Sequence, residues 1–242
     1  MEERDPDFVR KAVAIIELEL DPPTDGPTFC VDEKTGIGVR RPAAPSQPVA
    51  PGRPARREFE YVRNGTADLL AAFAVRDGQV TAIVRRQHRS REFCELLDML
   101  DRQTPFGQTI HLILDPVSLH RSAEVAVWLA YRPWRPFVFH WLPTHASWLS
   151  FVEAWFAILS KKCLKRAELP DFDAADRALT AFIATYNAHQ AHPFTWRKGV
   201  RFYQRLRDKL DAPAQERTQT SLGVRLQVHV SGNWWFTVEP DD

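Results

Sequence analysis

The stretch HLILDPVSLH, residues 111–120, places an acidic side chain directly behind a short apolar run. Residues 110–114 have the length and the apolar character of a buried central strand, and Asp115 follows as soon as that run ends. In open α/β sheets, ligands bind beside the carboxyl ends of such strands. An ionised carboxylate is costly to bury unless it is paired or binds a cation. The pattern therefore makes Asp115 a candidate metal ligand.

Two further acidic residues interrupt apolar segments in the same manner. Asp32 follows the apolar run at residues 28–31, and Glu153 lies on a helix that the pattern predicts at residues 147–164. Because Glu153 shares a helical turn with a residue of the apolar stripe, we expect it to lean toward the sheet. Taken singly, the two aspartates also fit turn or capping residues, and the glutamate also fits one partner of an ion pair.

The three acids together predict a shared cation site. If the two strands are parallel neighbours, the carboxylates of Asp32, Asp115 and Glu153 converge at one edge of the sheet. Convergent carboxylates repel one another, and one or two divalent ions relieve that repulsion. Carboxylate oxygens suit a hard cation, so the sequence favours Mg²⁺. A zinc hydrolase is disfavoured, because the histidines and cysteines lack the spacing of a zinc site.

Apolar periodicity and turn residues give an order of elements that predicts the fold class. Strand, hairpin, helix, strand, helix, strand and helix succeed one another, and this order is typical of a mixed sheet with helices packed on its faces. The Asp77-Gly78 step marks the hairpin turn. The predicted strands are 28–31, 66–75, 79–85, 110–114 and 136–141; the predicted helices are 7–20, 90–100, 122–131, 147–164, 172–189 and 196–210; a further hairpin is predicted within 221–238.

Length and composition exclude several classes of protein. The chain has 242 residues, of which 44% are hydrophobic, and this agrees with a large folded domain. No apolar run approaches the roughly 20 residues that span a bilayer, and the charged N-terminus is unlike a signal peptide. The three cysteines are far apart and form no C-x-x-C pair. We therefore expect a cytoplasmic protein without a membrane partner.

Contacts with a nucleic acid would depend on local clusters, because the net charge is only +1. Prolines recur every third residue from Pro42 to Pro54 among arginines, which fits either a stiff solvated linker or an arm that touches nucleic acid. Basic residues at the end of the Glu153 helix suit either the helix dipole or a phosphate clamp. The candidate nucleic-acid contacts are Arg53, Arg56, Arg57, His120, His145, Trp148, Lys161, Lys162, Lys165 and Arg166.

The acidic stretches resemble a known family. CVDEKTGI, LILDPVSLH and PTHASWLSFVEAWF, in this order, are similar to the catalytic domain of DDE transposases in the bacterial insertion-sequence branch of the mariner superfamily. The resemblance spans residues 5–206 and includes DPDFVRKA, YVRNGTADLLAAF, QHRSREFCELLDML and YNAHQAHPFTW. It implies a ribonuclease-H-like fold, two Mg²⁺ or Mn²⁺ ions, and cutting and joining of transposon-end DNA. It also implies that Asp32, Asp115 and Glu153 are the catalytic, metal-binding acids.

The resemblance also sets expectations for domains and partners. We expect a lead helix and linker at 1–25, a catalytic domain at 26–207 and an atypical tail at 208–242. The family usually begins with helix-turn-helix domains, and we expect this chain to lack them. The implied partners are transposon-end and target DNA, with self-association or a separate helix-turn-helix subunit. Pro116 stands where the family usually has Asn, so a catalytically impaired DNA-binding or assembly remnant is one alternative. A stand-alone ribonuclease-H-like nuclease is another.

Overall fold

A five-stranded mixed sheet forms the centre of the protein. The computed structural model describes residues 5–44, 60–165, 167–196 and 200–211. The sheet order is β3-β2-β1-β4-β5; β1 pairs with β2 and β2 with β3 antiparallel, whereas β1 pairs with β4 and β4 with β5 in parallel. The strands are β1 (Thr28–Pro42), β2 (Tyr61–Ala74), β3 (Val80–Arg85), β4 (Ile110–Leu114) and β5 (Phe137–Trp141).

Helices cover both faces of this sheet. Side chains alternate between the two faces of a strand, and neighbouring residues of β2 accordingly enter two separate apolar cores. The helices are α1 (Phe8–Leu20), α2 (Ser90–Gln103), α3 (Ala123–Ala130), α4 (Phe151–Leu159), α5 (Phe172–His189) and α6 (Val200–Asp211). One core contains Leu69 and takes in α1, α4, α5 and α6; the other contains Leu70 and takes in α2 and α3. The predicted mixed sheet with flanking helices is confirmed.

The first strand is longer than the sequence pattern predicts. We expected a strand that ends before Asp32, but β1 continues to Pro42. Its parallel pairing with β4 does end early, at Cys30, whereas its antiparallel pairing with β2 persists for the rest of the strand. The long partner β2 supplies backbone hydrogen bonds where β4 no longer can, so polar residues after Asp32 remain in extended conformation. Asp32 thus lies where the parallel pairing stops, opposite Ala71 on β2.

The helix predicted at residues 147–164 is divided into three pieces. A 3₁₀ turn at Ser147–Leu149 precedes α4, and a π-helical turn at Ser160–Leu164 follows it. The hydroxyl of Ser160 donates to the Phe156 carbonyl at 2.7 Å, and the Lys165 N–H bonds to the Ser160 carbonyl at 3.0 Å. A hydroxyl that bonds to the preceding turn competes with the regular helical ladder, and this bond lies where α4 passes into the wider turn.

The other predicted elements are present among the described residues, although β2 begins at Tyr61 instead of residue 66 and Trp196 precedes α6. The hairpin between β2 and β3 turns at Gly78, whose φ is 73° and whose missing Cβ would lie 2.0 Å from the His192 carbonyl oxygen, so only glycine fits there. Ser122 caps α3 by accepting a hydrogen bond from the Val125 N–H. The predicted tail hairpin and most of the proline-rich segment lie outside the described residues. In the part of the chain that is described, every helix is too short or too polar to traverse a bilayer.

Candidate active site

Two of the three acids follow adjacent parallel strands. Cys30 on β1 pairs with Ile113 on β4, and Asp32 and Asp115 each stand two residues beyond this pair. Since the strands run in parallel, both aspartates emerge at the same edge of the sheet. This is the arrangement that the sequence predicted for them.

Asp32 is mostly buried and lies among other carboxylates. Its Oδ1 accepts a hydrogen bond from the Glu33 N–H at 2.7 Å. Burial raises the pKa of the Asp32 carboxyl to about 7, and the charges of Glu33, Glu153 and Asp115 act in the same direction. Asp32 is thus within electrostatic reach of both other predicted acids, one from β4 and one from α4.

Glu153 reaches this region from the first turn of α4. The helix begins at Phe151, and the Glu153 N–H bonds to the Ser150 carbonyl at 3.2 Å. An acidic residue in the first turn of a helix is favoured by the helix dipole. The side chain is partly buried, and its neighbour Val152 is fully buried in the core.

A buried histidine contacts both the main chain and the side chain of Asp115. The side chain of His120 is inaccessible to solvent; its Nδ1 donates to the Asp115 carbonyl oxygen at 3.1 Å and lies 3.2 Å from Asp115 Oδ1. Its Nε2 lies 2.9 Å from Glu33 Oε1. Burial by itself lowers the pKa of the imidazole, but the contacts with Asp115 and Glu33 outweigh burial and raise the pKa to about 9. Both contacts favour the protonated form of the imidazole.

Sequence reasoning missed Glu33 and gave His120 a different role. His120 was expected at a nucleic-acid surface, but its imidazole is enclosed and packs on the Phe93 ring at a centroid distance of 4.5 Å. Enclosure suits a residue that holds Asp115 in place and leaves no face for a direct DNA contact. The signal that could have identified Glu33 is its position next to Asp32 on the same strand. Successive side chains of a strand point to opposite faces of the sheet, so Glu33 points away from Asp32 and contacts His120.

The donor set fits a hard divalent cation. Asp115 Oδ1 is buried and accepts no hydrogen bond of acceptable geometry from any described residue. The near neighbour of this oxygen is the His120 imidazole, whose Nδ1 lies 3.2 Å away, and the oxygen keeps lone pairs that a hard cation can use. Across the described ranges, however, no three His, Cys, Asp or Glu side chains already stand at the mutual distances of a metal shell. The three carboxyl groups therefore have the right chemistry for a divalent cation, but they do not stand at the mutual distances of a coordination shell.

The remaining predicted contact residues lie around α4. His145 is exposed and has a φ of 59°, an uncommon conformation for a residue other than glycine. Trp148 is 45% exposed and borders a cavity of about 760 Å³ beside α4. Lys161, Lys162 and Lys165 are exposed on and after the π turn, where the Lys162 ammonium group contacts Gln190. The roles of these residues stay predictions; Arg53, Arg56, Arg57 and Arg166 lie outside the described residues.

The order and directions of the five strands, with helices on both faces of the sheet, are those of a ribonuclease-H-like fold. Residues 27–176 match the model of a protein family described as DDE superfamily endonuclease. This match covers more than half of the chain, and the chain belongs to that family. No protein of curated function matches the chain significantly.

Solved structures share the fold. The chain resembles a pre-cleavage Mos1 transpososome (TM-score 0.55, 13% identity, 86% of this chain and 62% of that one). It also resembles the Mos1 mariner paired end complex with Mn (TM-score 0.53, 15% identity, 87% of this chain and 60% of that one). A third similar structure is the catalytic domain of Mos1 mariner transposase (TM-score 0.51, 11% identity, 87% of this chain and 89% of that one). The chain thus spans about three fifths of the chains in the two complexes. At these identities the likeness concerns the fold, and the predicted ribonuclease-H-like class is confirmed.

Proposed function

We propose that this chain is a transposase catalytic domain that cuts and joins DNA at transposon ends with the help of divalent metal ions. The observation that carries the proposal is the parallel pairing of β1 with β4, which brings Asp32 and Asp115 out at one edge of the sheet, while the charge of Glu153 on α4 acts on the Asp32 carboxyl group. Membership of the DDE superfamily endonucleases supports it, as does likeness to Mos1 complexes, one of which is a paired end complex with Mn.

Each acid has a defined part in this proposal. Asp32, Asp115 and Glu153 would hold one or two Mg²⁺ or Mn²⁺ ions, which when bound activate the attacking hydroxyl and stabilise the leaving oxygen of a phosphodiester. The His120 ring would hold the Asp115 main chain in place, because both ring nitrogens have partners. Nδ1 bonds to the Asp115 carbonyl oxygen, and Nε2 contacts the Glu33 carboxyl group. Supporting contacts of this kind orient ligands and tune metal affinity.

DNA would bind across the α4 side of the acidic edge. The exposed Trp148 offers a ring for base stacking, and His145, Lys161 and Lys165 offer polar or charged groups for phosphates. Arg53, Arg56, Arg57 and Arg166 lie outside the described residues and stay predicted DNA contacts from the sequence alone. Because the net charge is only +1, binding should be weak and sensitive to salt.

A cleavage assay tests the proposal. Purified chain is incubated with a labelled duplex that carries a transposon end, with Mg²⁺ or Mn²⁺ or with EDTA. We expect metal-dependent nicking that Asp115→Asn abolishes and that Asp77→Asn, a matched change at the β2–β3 turn, leaves intact. Asp77 accepts a hydrogen bond from the Gln79 N–H, and asparagine can accept the same bond.

The products separate the proposal from its alternatives. Nicked ends that become joined to a second duplex support a transposase, whereas nicking without joining indicates a stand-alone nuclease. DNA binding without nicking in either metal indicates a catalytically impaired remnant. Nicking that persists in EDTA contradicts the metal-dependent chemistry altogether.

A further inference from the structure

A buried carboxyl group on α1 connects the two elements that carry Asp32 and Glu153. Glu19 is 5% exposed, although it lies near the end of a helix whose neighbouring acid, Glu17, is on the surface. Its side chain contacts β1, the start of α4 and the segment that follows α5. A buried acid is costly unless it is well bonded, so these contacts call for an explanation.

The carboxyl group of Glu19 accepts three hydrogen bonds. Oε1 accepts from the Cys30 thiol at 3.2 Å and from the Phe151 N–H at 3.1 Å, while Oε2 accepts from the Trp196 indole N–H at 2.8 Å. Cys30 stands two residues before Asp32 on β1, and Phe151 stands two residues before Glu153 on α4. One side chain therefore spans both catalytic elements.

The contact with α4 replaces a local cap. The first N–H groups of a helix have no partner within the helix and are usually satisfied by the side chain of the N-cap residue. Ser150 occupies the N-cap of α4 but makes no capping hydrogen bond within the described structure. Glu19 accepts from the first helical N–H instead, so a residue distant in sequence fixes where α4 begins.

We infer that Glu19 is a positioning residue of the proposed nuclease site, which holds the start of α4, and with it Glu153, against the part of β1 that leads into Asp32. This inference rests on the proposed function. Glu19 touches no reacting group; it acts by fixing the separation between two metal ligands. Supporting residues of this kind typically affect metal affinity by about 10-fold to 100-fold.

The test compares Mn²⁺ affinity among variants, measured by electron paramagnetic resonance of the free ion. Glu19→Met removes all three acceptors at similar side-chain size, and we expect its Mn²⁺ dissociation constant to rise about 10-fold. Glu19→Gln keeps an oxygen for the Phe151 N–H and should restore most of the affinity. Glu17→Met is the matched control, because Glu17 lies on the same helix but bonds to Tyr203 and Arg207 on α6.

A second measurement separates positioning from plain stability. Amide hydrogen exchange at Phe151 should become faster in Glu19→Met and stay slow in Glu17→Met at temperatures well below unfolding. A merely structural role would lower the melting temperature and leave the Mn²⁺ affinity of the folded protein unchanged. If Glu19→Met does not fold, Glu19→Asp, which retracts the carboxyl group by one methylene, takes its place with the same expected loss of affinity.

The outcomes distinguish this inference from the proposed function. Wild-type protein that binds Mn²⁺, and loses it in Asp115→Asn, supports the proposed site. If that holds and Glu19→Met binds Mn²⁺ as tightly as the wild type, only the role of Glu19 is overturned. If the wild type binds no Mn²⁺, the proposed site and the inference fall together.

Discussion

Glu33 and His120 form a buried ion pair directly behind the acidic cluster, with 2.9 Å between Oε1 and Nε2. Glu33 follows Asp32 on β1, and His120 bonds to the backbone of Asp115 after β4, so the pair joins the segments of two proposed ligands. A protonated His120 also places one positive charge near the Asp32 carboxyl group, on which the charges of Glu33, Glu153 and Asp115 act. The pair therefore limits both the movement and the mutual repulsion of these acids.

Replacement of His120 by Phe should damage both stability and metal binding. Breaking a buried pair leaves Glu33 as an uncompensated buried charge, which typically costs about 3 to 5 kcal/mol. We expect a loss of that order in the free energy of urea unfolding and about a 10-fold weaker Mn²⁺ affinity in protein that remains folded. His189→Phe, an exposed position at the end of α5, is the control. Unchanged unfolding and affinity in His120→Phe would contradict the supporting role.

Glu19 should make stability fall as pH rises. Burial raises the pKa of the Glu19 carboxyl from 4.5 to about 7, although hydrogen bonds from Cys30, Trp196 and Phe151 oppose this shift. The folded state holds this proton more tightly than the unfolded state. The resulting stabilisation is complete below about pH 4.5 and is lost as pH rises through 7, a change of about 3 kcal/mol.

Glu19→Gln isolates this effect, because glutamine does not titrate. The unfolding free energy of the wild type minus that of Glu19→Gln, measured in urea from pH 4.5 to 8, should decrease steadily. A difference that is flat over this range would show that Glu19 stays ionised in the folded protein.

Metal-free protein should be destabilised by its own acidic cluster. Burial and the neighbouring carboxylates raise the pKa of Asp32 to about 7, so ionisation above that pH opposes folding until a cation is bound. At pH 8 we expect Mg²⁺ to raise the melting temperature of the wild type and to leave that of Asp32→Asn nearly unchanged. Without Mg²⁺, Asp32→Asn should melt above the wild type. If metal-free Asp32→Asn melted at a lower temperature than the metal-free wild type, repulsion among these carboxyl groups would be contradicted.

Charge reversal after α4 should weaken DNA binding without regard to sequence. In Lys161→Glu/Lys165→Glu we expect affinity for all duplexes to fall alike and the dependence on salt to become shallower, since phosphate contacts are lost. Arg91→Glu/Arg102→Glu is the control, because both arginines are exposed on α2, which packs on the other face of the sheet. Fluorescence anisotropy with two unrelated duplexes measures both quantities. A loss confined to one duplex would indicate base readout instead.

Sequence reasoning predicted the features that depend on residues close together in the chain. The apolar run before Asp115 and the Asp-Gly turn after β2 are local signals, and both elements lie where they were expected. The length of β1 depends on pairing with β2, and the break after Leu159 is a change in backbone hydrogen bonding, so neither was readable from periodicity. The partners of Glu19 and Glu33 lie far away in sequence. Only the folded chain brings an α1 acid to the start of α4.

The central claim is that Asp32, Asp115 and Glu153 together bind a divalent cation, and anomalous X-ray scattering from crystals of the chain soaked in Mn²⁺ tests it most directly. We expect an anomalous peak that contacts oxygens of all three carboxyl groups, at roughly 2.0 to 2.6 Å per ligand as hard cations require. The peak should be absent from Asp115→Asn crystals and retained in Asp77→Asn crystals. A wild-type crystal with no peak at these carboxyl groups, or with Mn²⁺ bound only elsewhere, would contradict the account.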